Sequence, residues 1–223
     1  LSEKTSRLIA FFLKLRYRFL ARYSPPPPFR LLDIGCGSGK FLRGMGGYGS
    51  GEGVEISPAS RAFAQHTLGV KVYAALSEIP TSHRYHLVTF WHSLEHIDHP
   101  LAVLGQARAL LVPGGKIIIS VPNASSFQAR LSGLRWSYYD HPHHLIQFNR
   151  PSLTQLLDRA GCKIITQKRF SWEYGPLGFL QTLLNFLPGP HNFLYYSTKR
   201  GQAFAGYSRG AHAGLFACHL LLA

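Results

Sequence analysis

Residues 31–40 read LLDIGCGSGK, and this stretch decides the fold. Two leucines run into Asp33, and a loop follows with glycine at 35, 37 and 39. Such a run predicts a buried parallel strand ending in a tight turn, where the backbone passes a ligand too closely to tolerate a Cβ. About 20 positions further on, GVEI (53–56) ends a second short apolar run on Glu55. An acidic residue at the tip of the second strand is what a nucleotide-binding βαβ unit uses to hold ribose hydroxyls. The spacing excludes two phosphate cradles. A dinucleotide GxGxxG needs glycine at 40, where Lys40 stands, and a P-loop needs glycine at 34 and a hydroxyl at 41, where Ile34 and Phe41 stand.

Working outward, strand and helix signals alternate from Phe29. Strands are predicted near 30–34, 51–56, 70–74, 86–91 and 115–121, each mostly apolar, as in a parallel sheet covered on both faces. Helices fit 39–46, 58–67, 99–112 and 151–160. Ser57-Pro58 opens the second, Pro113-Gly114-Gly115 closes the third, and Ser152 or Asn149 caps the fourth. Residues 162–170 read as a further strand. Residues 4–22 form an amphipathic helix with Leu8, Phe11, Phe12, Leu15 and Phe19 on one face and most basic residues along its border, Arg16 lying across from them. Prolines 25 to 28 stop it. That helix is expected either as a lid across the domain or lying on a membrane surface. After Ser171 the chain turns aromatic and leucine-rich, with Leu180, Leu183, Leu184 and Leu187 at helical spacing. The expected organisation is an N-terminal helix (1–24), a cofactor domain (25–171) and a hydrophobic C-terminal segment (172–223) serving as substrate cap or as membrane or subunit contact.

Composition limits the partners. With 24 Lys and Arg against 10 Asp and Glu, the net charge is +14, a field that favours anionic partners: nucleic acid, phosphorylated substrates or acidic lipid headgroups. Cys36, Cys162 and Cys218 show no CxxC spacing, which argues against a disulfide framework or structural zinc and for a reducing, cytoplasmic setting. The chain starts at Leu1 rather than Met, so it is expected to be part of a longer gene product.

The Asp-x-Gly-x-Gly-x-Gly pattern with its distant acid resembles the class I S-adenosylmethionine (SAM) methyltransferases, whose ligand has ribose and adenine but no phosphate. YHLVTFWHSLEHIDHP (85–100) is similar to the fourth strand and following loop of that superfamily, and LVPGGKIIISVPN (111–123) to its helix-to-strand turn and fifth strand. DHPHHL (140–145) resembles a loop of the small-molecule branch, which includes the ubiquinone-biosynthesis O-methyltransferases and enzymes of polysaccharide and natural-product clusters. The resemblance covers residues 29–171. It implies a Rossmann-like, doubly wound, mostly parallel α/β sheet. A complete fold of this class ends in an antiparallel strand, and none is evident in the sequence.

By this resemblance the cofactor is SAM, leaving as S-adenosylhomocysteine, and its residues are Asp33, Gly35, Cys36, Gly37, Gly39, Glu55, Ile56, Leu76, Phe90 and Trp91. Glu55 would take the ribose hydroxyls and Ile56 the adenine edge. An adenine-amine contact after the third strand is left to Leu76 or backbone, with Glu78 nearby. Methyl transfer from a sulfonium is an in-line displacement that needs alignment and, for a hydroxyl acceptor, a base. Histidine suits that role. The candidates are His92, His96, His143 and His144, with His99 and His141 close by; His96 and His144 occupy positions where the branch carries histidine. Ubiquinone-type enzymes with Glu-x-x-Glu-His hold a divalent metal here. This chain has His92-x-x-Glu95-His96, with the first carboxylate replaced; histidine and carboxylate can still ligate a transition metal, but no metal ligand is assigned.

The reading is therefore a SAM-dependent methyltransferase of a small-molecule or lipid-like acceptor, acting at oxygen, with an anionic membrane surface at the inner face and a homodimer as further partners. Its rivals are an RNA methyltransferase and a non-catalytic SAM-binding module. Base methylases often carry an Asn/Asp-Pro-Pro-Tyr/Phe tetrad where this chain has Trp91-His92-Ser93-Leu94, which argues against nucleic acid.

Overall fold

A computed structural model describes residues 3–139, 143–168, 175–188, 191–192 and 220–222. Its elements in chain order are α1 (Glu3–Ala21), β1 (Phe29–Ile34), α2 (Lys40–Arg43), β2 (Gly49–Val54), α3 (Pro58–Ala62), β3 (Lys71–Tyr73), β4 (Tyr85–Trp91), α4 (Pro100–Ala109), β5 (Leu111–Val121), α5 (Phe127–Ser132), α6 (Arg150–Arg159), α7 (Gly175–Leu184) and β6 (Leu220–Leu222). The sheet order is β3-β2-β1-β4-β5-β6, with β1 to β5 parallel and β6 antiparallel to β5. The order reverses at β1 and β4, the switch point where ligands of open α/β sheets bind. Two compact units divide the chain: Leu1–Trp91 with Val103–Ile118, and His92–Ala102 with Ile119–Ala223.

In the first unit the leucines of the opening motif are wholly buried: Leu31 and Leu32 of β1 and Leu87 and Val88 of β4 are 0% exposed. A strand covered on both faces must read as a continuous apolar run, and these do. Helix α1 packs through Tyr17 and Leu20, and Phe11, assigned to the buried face by spacing, is 55% exposed. The packing face is rotated because a stacking slot captures Tyr17. Its ring lies 5.5 Å from Phe41 and 5.3 Å from Tyr48, and its hydroxyl donates to the Phe41 carbonyl at 2.6 Å. Gly44 makes the slot, since a Cβ there would collide with the Tyr17 hydroxyl.

Several expected boundaries move. The second helix keeps its Ser57 cap, whose hydroxyl accepts from the Ser60 amide, but α3 gives way at Phe63 to a π-helical turn through Thr67. Helix α4 ends at Ala109, and Pro113-Gly114-Gly115 belongs to the extended start of β5. The expected strand over 162–170 is reduced, in its described part, residues 162–168, to a single bridge residue, Gln167; the sheet edge at β5 is taken by Leu220–Leu222, the antiparallel strand not evident in the sequence. Helix α6 is capped by both predicted residues at once. The Asn149 side chain accepts from the Ser152 amide, and the Ser152 hydroxyl accepts from the Asn149 amide.

Among the described residues no helix is long and apolar enough to cross a membrane. Asp140, His141 and Trp172 lie outside the described residues.

Candidate functional site

In the first unit the loop after β1 is shaped by glycine and held by one carboxylate. Gly37 has φ +55, and a Cβ built on it would meet nothing within 4 Å, so the loop turns an open side outward. Gly39, φ +73, faces inward, where a Cβ would stand 2.9 Å from the Ala64 Cβ. The Glu55 carboxylate accepts the Gly37 amide on one oxygen and the Ser57 amide on the other, both at 2.8 Å. Each oxygen keeps a second lone pair for a ligand hydroxyl. The Gly35 and Cys36 amides donate to the Val54 carbonyl at 2.8 and 3.1 Å, joining the loop to the end of β2. Arg61 donates to the carbonyl of Glu55 at 2.7 Å, which holds the backbone behind the acid. Ile56, next in the chain, is 87% exposed, an apolar side chain offered to a flat apolar ligand edge.

Asp33 sits beneath this loop, 3% exposed, and accepts from the Thr89 hydroxyl at 2.7 Å. Burial pushes its carboxyl up to about 7, with the Thr89 bond and the Arg16 guanidinium pulling the other way. Arg16 was not among the expected site residues. Its guanidinium lies 4.9 Å from the Trp91 ring centre and 5.9 Å from that of Phe41. The signal available in the sequence was its isolation from the other basic residues of α1. The Trp91 indole Nε1 is buried with no hydrogen-bond partner. A buried donor of that kind is costly unless something completes it.

Phe90, expected beside the cofactor, is a 0% exposed core residue, so any role it has there is one of support. Leu76 is half-buried in a 3₁₀ turn. Glu78 accepts its own turn's Ala74 amide at 2.8 Å and shapes the segment after β3.

The second unit gathers the histidines. His92 is left-handed at φ +54; its amide donates to the Ser120 carbonyl and its Nε2 lies 2.9 Å from the Ser120 hydroxyl. A bulky residue in that region is strained, and such strain clusters at functional sites. Its Nδ1 comes within 3.3 Å of a Glu95 oxygen, but without hydrogen-bond alignment. Glu95 is 0% exposed, neither of its oxygens has a hydrogen-bond partner, and burial raises its carboxyl to about 8.

His96 and His144 stack edge to face with ring centres 4.8 Å apart. The His96 Nδ1–H donates to the His143 carbonyl at 2.8 Å, and the His144 Nδ1–H donates to the Tyr138 carbonyl at 2.9 Å. Both bonds select the tautomer whose Nε2 carries the lone pair. Burial, with His96 beside it, lowers His144 to about 4, making it a neutral acceptor but a weak base. His143 enters through its backbone carbonyl. One ligand atom each from Glu95, His96 and His144 lie within 4.8 Å of one another. The sequence leaves a divalent metal open at His92, Glu95 and His96 without assigning ligands; the structure groups Glu95 and His96 with His144, and two imidazoles and a carboxylate form a donor set suited to a divalent transition metal.

Similarity to known proteins accords with this geometry. Residues 4–167 match the family described as methyltransferase domain. The ubiquinone biosynthesis O-methyltransferase of Aromatoleum aromaticum is 29% identical over 172 residues, covering 70% of this chain and 72% of that protein. The enzyme of the same name from Coxiella burnetii is 29% identical over 150 residues, covering 60% of this chain and 64% of its own length, less than two thirds. Among solved structures, a SAM-dependent methyltransferase from Archaeoglobus fulgidus superposes with a TM-score of 0.56 at 24% identity, covering 72% of each chain. With its glycine loop, second-strand acid and switch-point sheet, the chain belongs to the SAM-dependent methyltransferase-domain family.

Proposed function

We propose that this chain transfers a methyl group from SAM to a hydroxyl of a small-molecule or lipid-like acceptor, at the cytoplasmic face of a membrane. The observation that carries the reading is Glu55, whose two oxygens fix the glycine loop through the Gly37 and Ser57 amides while keeping lone pairs for ribose hydroxyls. Ile56 offers the adenine an apolar face. Trp91 Nε1–H and the Arg16 guanidinium offer a donor and a cation to the amino-acid end. The substrate class is supported by the names of the two relatives, and their partial coverage makes acceptor and partners part of the proposal.

In this reading the glycine loop and Glu55 hold the methyl donor, and a histidine removes the acceptor proton. As the acceptor oxygen attacks the methyl carbon and the carbon–sulfur bond breaks, the hydroxyl proton passes to a lone pair at Nε2. His96 is assigned that role, since His144 is too weakly basic. His144 orients the His96 ring by edge-to-face packing. The clustered donors favour a second reading of the same groups. A divalent cation held by Glu95, His96 and His144 would supply Lewis acidity that makes an acceptor hydroxyl easier to deprotonate.

Calorimetry with SAM, S-adenosylhomocysteine, NAD and ATP tests the cofactor assignment. Binding of the two adenosyl sulfur ligands alone is the expected result. Binding of NAD or ATP without SAM overturns it.

A further inference from the structure

Helix α7 is built inside out. Gln181 and Thr182 are buried to 1% and 3% exposure, whereas Phe179, Leu183 and, just beyond the helix, Leu187 are 49%, 51% and 62% exposed. These three recur every four residues and so form one ridge. The polar side is anchored on its own unit. Gln128 of α5 donates to the Thr182 hydroxyl at 2.7 Å and to the Gly178 carbonyl at 2.9 Å; the Thr182 hydroxyl donates to Ser137 Oγ at 3.1 Å. Asn185 donates to the Arg135 carbonyl at 3.0 Å. Gly178 lets the helix cross Tyr138, since a Cβ there would collide with the phenol. A helix attached through hydrogen bonds has its orientation fixed, so its leucines point outward by construction and cannot roll into the core.

The neighbouring segment continues the pattern. Phe127 and Leu131 of α5 are 79% and 69% exposed, and Leu134 in the following turn is 72% exposed. The sequences of α5, that turn and α7 contain no Asp or Glu, and their charged residues are Arg130 and Arg135. The Arg135 guanidinium lies 4.9 Å from the Phe186 ring centre, flat on the apolar surface.

We propose that α5 and α7 together form a surface that docks on an anionic lipid bilayer, with Phe179, Leu183 and Phe127 entering the headgroup–acyl boundary and Arg130 and Arg135 engaging lipid phosphates. Charge decides for this occupant. Apolar side chains whose charged neighbours, among the described residues of these segments, are arginines fit an anionic interface, which attracts basic residues. A second copy of the chain would bring the same arginines, and its own +14, against them. The inference rests on the membrane setting proposed above and, of the two segments the sequence offers for that contact, takes the C-terminal one, extended by α5, rather than α1.

The test is cosedimentation of the full chain with vesicles of phosphatidylcholine alone or mixed with phosphatidylglycerol, at low and high salt, with SAM binding followed in parallel. Two variants separate the surfaces: Phe179→Ser with Leu183→Ser on α7, and Lys14→Glu with Arg18→Glu on the exposed side of α1. Expected are salt-sensitive binding to the anionic vesicles alone, a loss of about tenfold or more in the α7 variant, and near-parental binding in the α1 variant. Retained binding in the α7 variant with loss in the α1 variant overturns the docking surface and leaves the membrane setting standing. No vesicle binding by the parent overturns both, as does a parental dimer that the α7 variant splits into SAM-binding monomers without vesicle affinity. SAM binding in those arms keeps the methyltransferase reading separate.

Discussion

The glycine loop of the first unit and the histidine cluster of the second are built in opposite ways. The loop is made of backbone, with its amides spoken for by Glu55 and the Val54 carbonyl within a segment of about 20 residues. The cluster is made of side chains, joining Glu95 and His96 to His144 from a distant segment, and its carboxylate has no hydrogen-bond partner. The difference teaches where tolerance should lie. A site built from local backbone survives most side-chain changes except at its clamp. A site built from buried titratable groups should fail through any member whose chemistry is used.

The largest expected effect breaks the cluster and leaves the loop intact. His96→Ala should lower kcat on a hydroxyl acceptor by about 10²-fold or more, with SAM affinity within about twofold of the parent in calorimetry. His144→Ala should cost less, about tenfold, because His144 positions a ring rather than taking the proton. Equal and small effects of both variants on kcat would return the histidines to a structural role.

Next comes the clamp. Glu55→Ala removes two amide contacts and the ribose acceptor together, so SAM binding should weaken by about 2–4 kcal/mol at about 1.5–3 kcal/mol per bond to a charged group, with loss of some bonds relieved by water. Glu55→Gln keeps one amide acceptor and should fall between the two. A Glu55→Ala variant that binds SAM like the parent would break the contrast from the loop's side.

The smallest effect sharpens it. Asp33 lies beneath the loop with its carboxyl raised from 3.8 to about 7. A raised folded-state value means the native protein binds this proton more tightly than the unfolded chain. Its stabilising contribution is therefore complete below about pH 4 and is lost as pH rises through about 7. Asp33→Asn cannot ionise, so its stability relative to the parent should rise between pH 4 and 7 and level off above. A gain of about 1–2 kcal/mol is expected, below the roughly 4 kcal/mol that about 1.4 kcal/mol per unit would allow, because buried sites relax. Denaturant melts at pH 4.5 and pH 8 give the difference, and a flat difference would show that the carboxyl titrates normally.

Legibility in the sequence follows the same division. The loop, Glu55 and the strands flanking them could be read from spacing because their hydrogen bonds are local and glycine leaves a strong signature. His96 and His144 were placed by resemblance. Glu95 is read beside His96 in the same motif, but the contact of both with His144 needed the fold, which brings together positions about 50 residues apart. Helix α1 shows the limit of periodicity. Spacing put Phe11 on the buried face, but the slot made by Gly44 lies elsewhere and captured Tyr17 instead. In α7 periodicity picked out Leu180, Leu183, Leu184 and Leu187; the polar anchors turn the first, second and last of these outward, with Phe179, and leave Leu184 half-buried. The strand expected over 162–170 failed because a short apolar run carries no record of which segment takes the sheet edge.

The bond from His96 to the His143 carbonyl also sets an order of birth. On a ribosome adding about 5–20 residues per second, the loop and Glu55 emerge several seconds before residue 143 is synthesised. Through that interval Glu95 lacks the His144 ring of its final cluster, while the cofactor clamp is already complete in sequence. The nascent chain therefore carries the glycine loop and its Glu55 clamp before the histidine cluster can close.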